Sequence, residues 1–377
     1  MISISGRKWL EKKVNKNTVE KLRQENNFSK ILSRLIISRN FDKEEVYLIE
    51  NDLKLINIFQ KNHDFLNSVE LTKKAINNKE NICILGDYDV DGSAATSLLI
   101  KFFESINHPF FYFIPDRVKD GYGASEKLFK KLILKKPKLV IMVDCGSTSN
   151  DAIDFLNKKK IKSLIIDHHE INKPYPKSNV IINPKKELVK KESSFLCATA
   201  LTYFFIEFII QKTKSNFKIS KFLIYVLLAT ICDVMPLRKI NKIIAKNKID
   251  NFNIKNYEAF NFIFEQYNLK KRLTIDDLGF LIGPIINSGG RLNSSNYGVE
   301  LLSTDNLEII KDRSNKLIAL NNKRKIIEQN ILNEIDFDKI KRENKNIIVY
   351  HRDNLNEGLI GIIASRLKDY FNKPSIV

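Results

Sequence analysis

The chain contains few cysteines, and none has the spacing of a metal-binding motif or a disulfide framework. Four occur in 377 residues, and no two form a Cys-x-x-Cys pair. Each lies in or beside an apolar run; they are Cys83, Cys145, Cys197 and Cys232. This pattern argues against structural zinc and against disulfides, and it favours buried thiols in a reducing compartment.

Long apolar runs are also missing. The stretch 195–210 is apolar, but it is interrupted by Thr and Glu and is too short to span a bilayer comfortably. The amino-terminal sequence MISISGRKWLEKK lacks the apolar core that a signal peptide needs. We therefore expect a soluble, cytoplasmic protein with no membrane partner.

Acidic residues are outnumbered by basic ones. The chain has 63 Lys and Arg against 44 Asp and Glu, which gives a formal net charge of +19. An excess of this size suits a polyanionic partner, and nucleic acid is the first candidate. The sequence is rich in Lys, Asn and Ile throughout, so simple Lys-rich solubility explains the charge equally well. Charge alone leaves both interpretations open.

Length and hydrophobic periodicity predict an α/β protein with two domains and a helical amino-terminal region. Residues 1–80 are polar with helical spacing, and residues 81–183 alternate short apolar runs with helix-like segments. Such alternation is typical of a parallel sheet built from βαβ units. We expect helices over 195–250, a loop over 283–295 and one long, exposed connector helix over 306–338.

These patterns predict four parts. They are a helical region at 1–80, a catalytic domain at 81–305, a connector helix at 306–338 and the start of a second α/β domain at 339–377. The chain stops at an apolar Ser-Ile-Val, which resembles the opening of a strand. About forty residues make a marginal domain. We therefore expect the last part to be incomplete.

Acids and histidines gather at the predicted ends of strands and helices. Ligands of open α/β sheets bind at the carboxyl ends of the strands. Four segments bring side chains there: Asp87, Asp89 and Asp91 in GDYDVDG, Asp144 in MVDCGS, Asp167, His168 and His169 in IIDHHE, and Asp233 in ATICDVMPL.

Carboxylates packed this closely repel one another unless cations neutralise them. A donor set of carboxylates with one or two imidazoles suits Mn²⁺ or Mg²⁺. Two such ions, about 3.5–4 Å apart, are suited to phosphoester hydrolysis. Taken singly, each segment is as well explained by a helix cap, a strand end or a structural His pair. Four such segments in this order are much harder to explain that way.

The motifs GDYDVDG, VDCG, DHH and ATICDVMPL resemble the four ordered motifs of the DHH phosphoesterase superfamily. SGRKWL, IPDRVKDGYG, GPIINSGGRL and EGLIGIIASRLKDYFNKPSIV extend the resemblance to the RecJ family of single-strand-specific 5′→3′ DNA exonucleases, over nearly the whole chain. The resemblance implies a parallel-sheet DHH domain, a DHH-associated domain after the connector, and two Mn²⁺ or Mg²⁺ ions. It also implies single-stranded DNA as substrate, recombination and repair as the pathway, and a monomer assisted by a helicase and a single-strand-binding protein.

The resemblance also assigns roles to residues. The implied metal ligands are Asp89, Asp91, Asp144, His168 and Asp233, with Asp144 as the bridge between the ions. The implied catalytic set is Asp144, His168, His169 and Asp87; of these, Asp87 and His169 act as ligands, support the ligands or contact the transition state. The positions that match DNA-phosphate contacts are Arg117, Arg291, Ser365 and Arg366.

Three departures from the family pattern bear on these roles. Leu85 stands where many DHH proteins have the His of HxxxDxD, so Asp87 or water is expected to complete that ligand set. Asn356 replaces the His of the usual WHEG motif. The sequence ends at Val377, before the rest of the DHH-associated domain, its Gly-rich motif and the OB-fold that follows in the family. We therefore make no prediction of processivity.

Two alternatives remain open at this point. The first is a DHH phosphodiesterase of short oligonucleotides or cyclic dinucleotides, which would need less surface for grip on DNA. The second is a non-catalytic DNA-binding scaffold of the same fold. The exonuclease interpretation is favoured over the first by the positive charge and the RecJ-type segments. It is favoured over the second by the full set of motif acids.

Overall fold

The computed structural model describes the chain except for residues 1, 5, 7, 9, 52, 53, 118, 187–192 and 293. Four helices precede the sheet, as predicted: α1 (Lys16–Asn26), α2 (Lys30–Ser38), α3 (Lys43–Glu50) and α4 (His63–Asn77). Each begins at a residue whose side chain accepts a hydrogen bond from the first turn, which stabilises the helix start: Asn15, Ser29, Asp42 and Asn62.

The central sheet has five parallel strands in the order β2-β1-β3-β4-β5. The strands are β1 (Ile82–Leu85), β2 (Phe110–Phe113), β3 (Leu139–Val143), β4 (Lys162–Ile166) and β5 (Val180–Ile182). Continuous runs of β-branched and aliphatic residues build β1, β3 and β5, because helices cover both faces of a parallel sheet. The predicted α/β fold is confirmed.

Helices cover the sheet on both sides. Between the strands lie α5 (Val90–Ser105), α6 (Glu126–Leu132) and α7 (Asn150–Lys158). The main core includes Ile82 and Ile84, whereas Cys83 and Leu85 belong to a second core on the opposite face, since successive strand residues alternate in direction. Leu85, where the family pattern has His, is therefore a buried core side chain in this chain.

A helical layer follows the sheet. It contains α8 (Ala198–Thr213), α9 (Leu223–Cys232), α10 (Lys239–Ile249), α11 (Glu258–Gln266), α12 (Ile275–Asp277), α13 (Gly283–Arg291) and α14 (Tyr297–Ser303). Single turns of 3₁₀-helix occur at Ile133–Lys135, Ser193–Phe195, Ile219–Phe222 and Ile254–Asn256. Among the described residues, no helix is long and apolar enough to cross a membrane.

The prediction of a loop over 283–295 is wrong for most of that range. Residues Gly283–Arg291 form α13, which continues from α12 through a π-helical turn at Leu278–Ile282. The glycines that suggested a loop instead permit close packing. A Cβ at Gly290 would lie 2.7 Å from the backbone oxygen of Tyr88, so only glycine lets this helix approach the GDYDVDG segment.

The predicted connector is the 28-residue helix α15 (Leu307–Glu334). It ends before 338, because α16 (Phe337–Glu343) begins after a break at Ile335. The helix is not exposed on all sides: Ile310, Leu317 and Ile331 are buried. Beyond it, α17 (Glu357–Phe371) packs beside the parallel pair β6 (Ile348–Val349) and β7 (Ser375–Ile376), which agrees with a strand opening at the end of the sequence.

A cluster of ion pairs, here called the amino-terminal clamp, joins the first helices to α10. Glu45 of α3 accepts hydrogen bonds from both Nε and Nη2 of Arg238. Lys239 pairs with Asp42 and with Glu44, the latter at 2.9 Å. Arg238 follows Asp233 by five positions. The clamp therefore anchors the segment that carries one of the predicted metal ligands.

Candidate metal centre

The sheet brings the predicted acids and histidines to one edge. The loop after β1 carries Asp87 and Asp89, and Asp91 lies in the first turn of α5. Asp144 directly follows β3, and His168 and His169 lie just after β4. These three strands are neighbours and run parallel, so the residues after their carboxyl ends meet. Asp233 arrives from the end of α9. These seven residues are called the acidic cluster below.

The side chains of the acidic cluster form three groups with ligand atoms within 4.8 Å of one another. The groups are Asp87 with Asp89 and Asp144, Asp91 with His168 and Asp233, and Asp144 with His168 and His169. Asp144 belongs to two groups, and so does His168. The structure thus brings together all of the residues that the family resemblance assigned to catalysis and metal binding.

Two of these acids are also held by helix starts. Asp89 is the N-cap of α5, and its Oδ1 accepts a hydrogen bond from the Gly92 amide at 3.0 Å. Asp91 accepts from the amides of Ala198 and Thr199, both at 2.7 Å, at the first turn of α8. A carboxylate there interacts favourably with the positive end of the helix dipole. Capping and clustering are therefore combined in the same side chains.

The electrostatics of the acidic cluster are unfavourable without added cations. Burial raises the pKa of Asp144 well above its usual value, and the charges of Asp91, Asp89 and Asp87 raise it further. Burial and the Asp89 charge likewise raise the pKa of Asp87. Both carboxylate oxygens of Asp144 are buried, and neither has a hydrogen-bond partner among the described residues. Asp144 also has a φ of +60°, a backbone strain that often marks functional sites.

The two histidines have different surroundings. His168 Nε2 lies 3.1 Å from an Asp233 oxygen and 3.3 Å from an Asp144 oxygen, yet it is not oriented to hydrogen-bond with either. Nitrogen and oxygen atoms that converge in this way are typical of an ion site. His169 is half-exposed, and its Nδ1 donates to Asp167 Oδ1 at 2.8 Å.

Asp167 fixes the ring of His169. Its oxygens accept hydrogen bonds from the Ser147 and His168 amides as well as from the His169 ring. The hydrogen bond to Asp167 raises the pKa of His169 to about 9. Burial alone would raise the pKa of Asp167, but the hydrogen bonds from His169 and Ser147 lower it below its usual range. His169 Nε2 is left 3.5 Å from the hydroxyl of Tyr122.

A cavity of about 300 Å³ opens over the acidic cluster. Arg117 lies on its wall with its guanidinium carbon 4.5 Å from the centre of the Tyr88 ring, and its buried Nε has no hydrogen-bond partner among the described residues. Arg291 and Asn287 of α13 line the same cavity. Burial lowers the pKa of Arg291, as do the neighbouring charges of Arg117 and Arg324.

The two remaining predicted DNA contacts lie elsewhere. Ser365 and Arg366 are exposed on α17 and do not line this cavity. Arg366 donates from Nε to Glu328 of α15 at 2.8 Å. Arg291 connects the two places, because its Nη1 donates to the carbonyl of Gly358 on α17 at 2.8 Å.

Sequence reasoning missed several residues of the site. The side chain of Asn287 accepts a hydrogen bond from the Val90 amide at 3.0 Å and so ties α13 to the GDYDVDG segment. Tyr122 stands beside His169 and Tyr88. Both residues fall in motifs that were noted, INSGGRL and KDGYG. No sequence pattern predicted the contact between the Asp91 carboxylate and α8, because that carboxylate accepts from the backbone amides of Ala198 and Thr199.

The acidic cluster fits divalent cations by two criteria. Its donors are carboxylate oxygens and imidazole nitrogens, which suit Mn²⁺ and Mg²⁺. Buried polar atoms without partners, the two Asp144 oxygens and His168 Nε2, point into the cluster. Among the described residues, no Lys or Arg forms an ion pair with Asp87, Asp89, Asp91 or Asp144. The ring of His169 supplies part of the positive charge, and the rest has to come from outside the chain.

Comparison with known proteins agrees with this geometry. Residues 81–231 match the family described as "DHH family, N-terminal domain". The chain is 29% identical over 333 residues to the single-stranded-DNA-specific exonuclease RecJ of Haemophilus influenzae, and 24% identical over 387 residues to that of Bacillus subtilis. These alignments cover 82% and 99% of this chain but 56% and 47% of the relatives, so the chain spans about half of their length.

Two solved structures share the fold. A structure of exonuclease RecJ bound to manganese aligns with a TM-score of 0.73 and 22% identity, over 86% of this chain and 80% of that one. RecJ of Thermus thermophilus in complex with Mn²⁺ aligns with a TM-score of 0.78 and 19% identity, over 95% of this chain and 52% of that one. At these identities the likeness shows the fold.

Proposed function

Since residues 81–231 form a DHH-family domain, we propose that the protein is a metal-dependent exonuclease that degrades single-stranded DNA from the 5′ end to mononucleotides. One observation carries the proposal: the acidic cluster, whose Asp87, Asp89, Asp91 and Asp144 form no ion pair with Lys or Arg among the described residues, borders a cavity that Arg117 and Arg291 also line. This arrangement is suited to a phosphodiester whose negative charge faces both cations and arginines. The similarity to RecJ exonucleases over most of the chain supports the choice of substrate.

We assign Asp89, Asp91, Asp144, His168 and Asp233 as the residues that would hold Mn²⁺ or Mg²⁺, and Asp144 would contribute to both ion sites. Its membership of two ligand groups supports that role. Asp87 joins the group of Asp89 and Asp144, which supports the idea that it compensates for the buried Leu85. When bound, the ions would supply an activated water nucleophile and neutralise charge on the phosphate.

The chain's own groups orient the substrate. Asp167 accepts from Nδ1 of His169, so Nε2 of that ring faces the cavity and can contact the scissile phosphate. The stacking of Arg117 on Tyr88 and the bond from Arg291 to Gly358 hold both guanidiniums at the cavity wall. Their remaining N–H groups are available to phosphate oxygens. We place Ser365 and Arg366 further along the bound strand.

The finer expectations stay part of the proposal. They are a monomer that works with a helicase and a single-strand-binding protein, a cytoplasmic role in recombination and repair, and the division at 1–80, 81–305, 306–338 and 339–377. The fold supports the division, because the sheet begins at Ile82 and α15 begins at Leu307.

The proposal is tested by Mn²⁺-dependent digestion of single strands labelled at the 5′ or the 3′ end. We expect release of labelled mononucleotide at once from the 5′ label and late from the 3′ label, and none from Asp144→Ala. Duplex DNA and a dinucleotide are the comparison substrates. A preference for the dinucleotide would identify a short-oligonucleotide phosphodiesterase instead, and Mn²⁺ binding without hydrolysis would identify a DNA-binding scaffold.

A further inference from the structure

A buried carboxylate on the connector helix lies between two arginines. The side chain of Glu328 is only 8% exposed, although burying a carboxylate is unfavourable unless it is paired. Its Oε2 accepts from Arg324 Nη1 at 2.8 Å on the same helix, and its Oε1 accepts from Arg366 Nε at 2.8 Å on α17. One carboxylate therefore fixes the orientation of two guanidiniums from two different helices.

The atoms used in these bonds leave specific donors free. Glu328 takes Arg366 through Nε, so the two terminal nitrogens of Arg366 have no hydrogen-bond partner in the part of the chain that the structure describes. That side chain is 59% exposed. Arg324 uses Nε for Asn321 and Nη1 for Glu328, which leaves Nη2. Free guanidinium nitrogens in a fixed orientation are what a phosphate group binds best.

The pair lies next to the cavity of the candidate centre. Arg291, on the cavity wall, donates to the carbonyl of Gly358 in the first turn of α17, the helix that carries Arg366. A Cβ at Gly358 would lie 2.3 Å from the Arg291 backbone oxygen, so α17 is docked directly on α13. The charge of Arg324 contributes to lowering the pKa of Arg291, after burial and Arg117. Arg291 is thus linked by a hydrogen bond to the helix that carries Arg366 and is close enough to Arg324 to be affected by its charge.

We propose that Glu328 is a positioning residue that holds Arg324 and Arg366 in a fixed phosphate-binding arrangement beside Arg291. The proposal rests on single-stranded DNA being the ligand of the proposed function. It adds Arg324 to the predicted DNA contacts and gives Glu328 a role that acts through the two arginines.

The proposal predicts that loss of the Glu328 charge weakens DNA binding, whereas simple electrostatics predicts that it tightens binding. Removing a negative charge beside a DNA-binding surface should tighten DNA binding if the charge acts only at a distance. If Glu328 positions the arginines, its loss frees both side chains. DNA binding then weakens, because ordering the two mobile side chains on binding costs conformational entropy. The substitution Glu328→Gln keeps the size of the side chain and removes its charge.

Binding is measured by fluorescence anisotropy with a labelled, 5′-phosphorylated oligo(dT) in EDTA, which prevents hydrolysis, over a series of salt concentrations. We expect Glu328→Gln to weaken binding roughly tenfold and to reduce the slope of log K against log salt by about one to two, as for lost phosphate contacts. The matched control is Glu334→Gln. Glu334 lies on the same helix, is half-exposed and pairs with Arg352 at 3.1 Å, so its loss should leave binding within about twofold.

A merely structural ion pair would lower the unfolding temperature of Glu328→Gln but leave DNA binding by the folded protein and its salt slope unchanged; that result, or tighter binding, overturns the proposal. Arg366→Gln and Arg324→Gln provide a second route if Glu328→Gln is unstable. Each should lower the salt slope, and unchanged slopes in both would also overturn the proposal.

The experiment separates this proposal from the proposed function, because it requires no hydrolysis. If the wild-type protein fails to degrade DNA while Glu328→Gln still weakens binding, the exonuclease assignment is wrong and the positioning role stands. If the wild type degrades DNA and Glu328→Gln binds it like the wild type, the reverse holds.

Discussion

Asp144 of the acidic cluster and Glu45 of the amino-terminal clamp are both carboxylates with only 1% of the residue exposed, yet their environments differ in every other respect. In the part of the chain that the structure describes, the two oxygens of Asp144 have no hydrogen-bond partner, and burial together with neighbouring acids raises its pKa. Glu45 accepts two hydrogen bonds from Arg238, and this pairing lowers its pKa despite burial. Burial is the largest cause of the raised pKa of Asp144, whereas at Glu45 the hydrogen bonds from Arg238 outweigh burial.

The difference separates a stabilising region from a functional one. The clamp is satisfied by its own chain, since Arg238 and Lys239 supply the charge that its acids need. In the acidic cluster the ring of His169 supplies part of the positive charge, and divalent cations from solution are needed to balance the remaining carboxylates. Clustered carboxylates destabilise the metal-free protein, but an ion-binding site requires them. Once cations are bound, their attraction to each carboxylate outweighs the repulsion between the carboxylates.

The largest expected difference between the two regions is in activity. Asp144→Asn should reduce the rate of DNA hydrolysis by on the order of 10³-fold or more, as for the loss of a principal electrostatic group in an active site. Glu45→Gln should leave the rate within about threefold at 25 °C, because the clamp touches the site only through the segment that carries Asp233. Single-turnover kinetics with Mn²⁺ on an end-labelled single strand provide the comparison. Equal losses in the two variants would show that the regions are not separable.

The response to metal should also differ. Mn²⁺ at a hundredfold excess over its dissociation constant should stabilise the wild-type protein by about 2.7 kcal/mol per site, since it binds only the folded state. Glu45→Gln should gain the same increment, whereas Asp144→Asn should gain much less. Thermal unfolding with and without EDTA measures both, and Ca²⁺ and Mg²⁺ serve as further ions. An undiminished increment in Asp144→Asn would mean that the ion binds elsewhere.

The clamp should dominate stability. Glu45→Gln should lower the free energy of unfolding by about 1.5–3 kcal/mol at neutral pH, the usual value of hydrogen bonds to charged groups. Arg238 lowers the pKa of Glu45 below its ordinary value of 4.5, so the stabilisation is fully present above that pH. It is lost as the pH falls through the lower pKa of the folded state.

Urea unfolding of the wild type and Glu45→Gln between pH 7 and pH 3 tests this. The two curves should converge on acidification. Glu44→Gln, at the neighbouring exposed acid, is the control and should cost less, because its partner Lys239 also pairs with Asp42. A difference that stays constant with pH would show that Glu45 acts by packing and not by charge.

The smallest expected effect is a stabilisation of the metal-free protein. In EDTA, Asp144→Asn should raise the free energy of unfolding by on the order of 1 kcal/mol, because it removes one buried charge from a repulsive group. The exposed Asp154 of α7 provides the control: Asp154→Asn should change stability by less than about 0.5 kcal/mol. Calorimetry of the metal-free proteins makes the comparison. A destabilised Asp144→Asn would indicate that the carboxylate has a structural partner after all.

Much of the fold and of the acidic cluster could be predicted because both depend on local patterns. Apolar runs of four or five residues predicted the parallel strands, and the acids directly after them, such as Asp89 and Asp144, were expected at the same edge. Leu85 was identified as a departure, although its burial in the second core required the strand register. Each of these features depends on residues that are close together in the sequence.

The remainder depends on contacts between distant segments. Gly289 and Gly290 suggested a loop, yet both lie in a helix, where the missing Cβ permits a close approach to the Ser294 backbone at Gly289 and to Tyr88 at Gly290. Glu328 was one of many charges on a polar helix, and only the packing of α17 against α15 shows that it is buried. Arg366 was expected to face DNA, and nothing in its motif indicated the carboxylate that holds it.

The hydrogen bond between the Val90 amide and Asn287 joins positions 197 residues apart, and the bonds from the start of α8 to Asp91 span 107 and 108 residues. Contacts of such long range form late in folding and after most of a chain has been synthesised. A nascent chain therefore carries all five acids of the cluster before α13 has emerged to hold the GDYDVDG segment, which contains three of them. The order of synthesis itself delays completion of the centre until the helices beyond the sheet are in place.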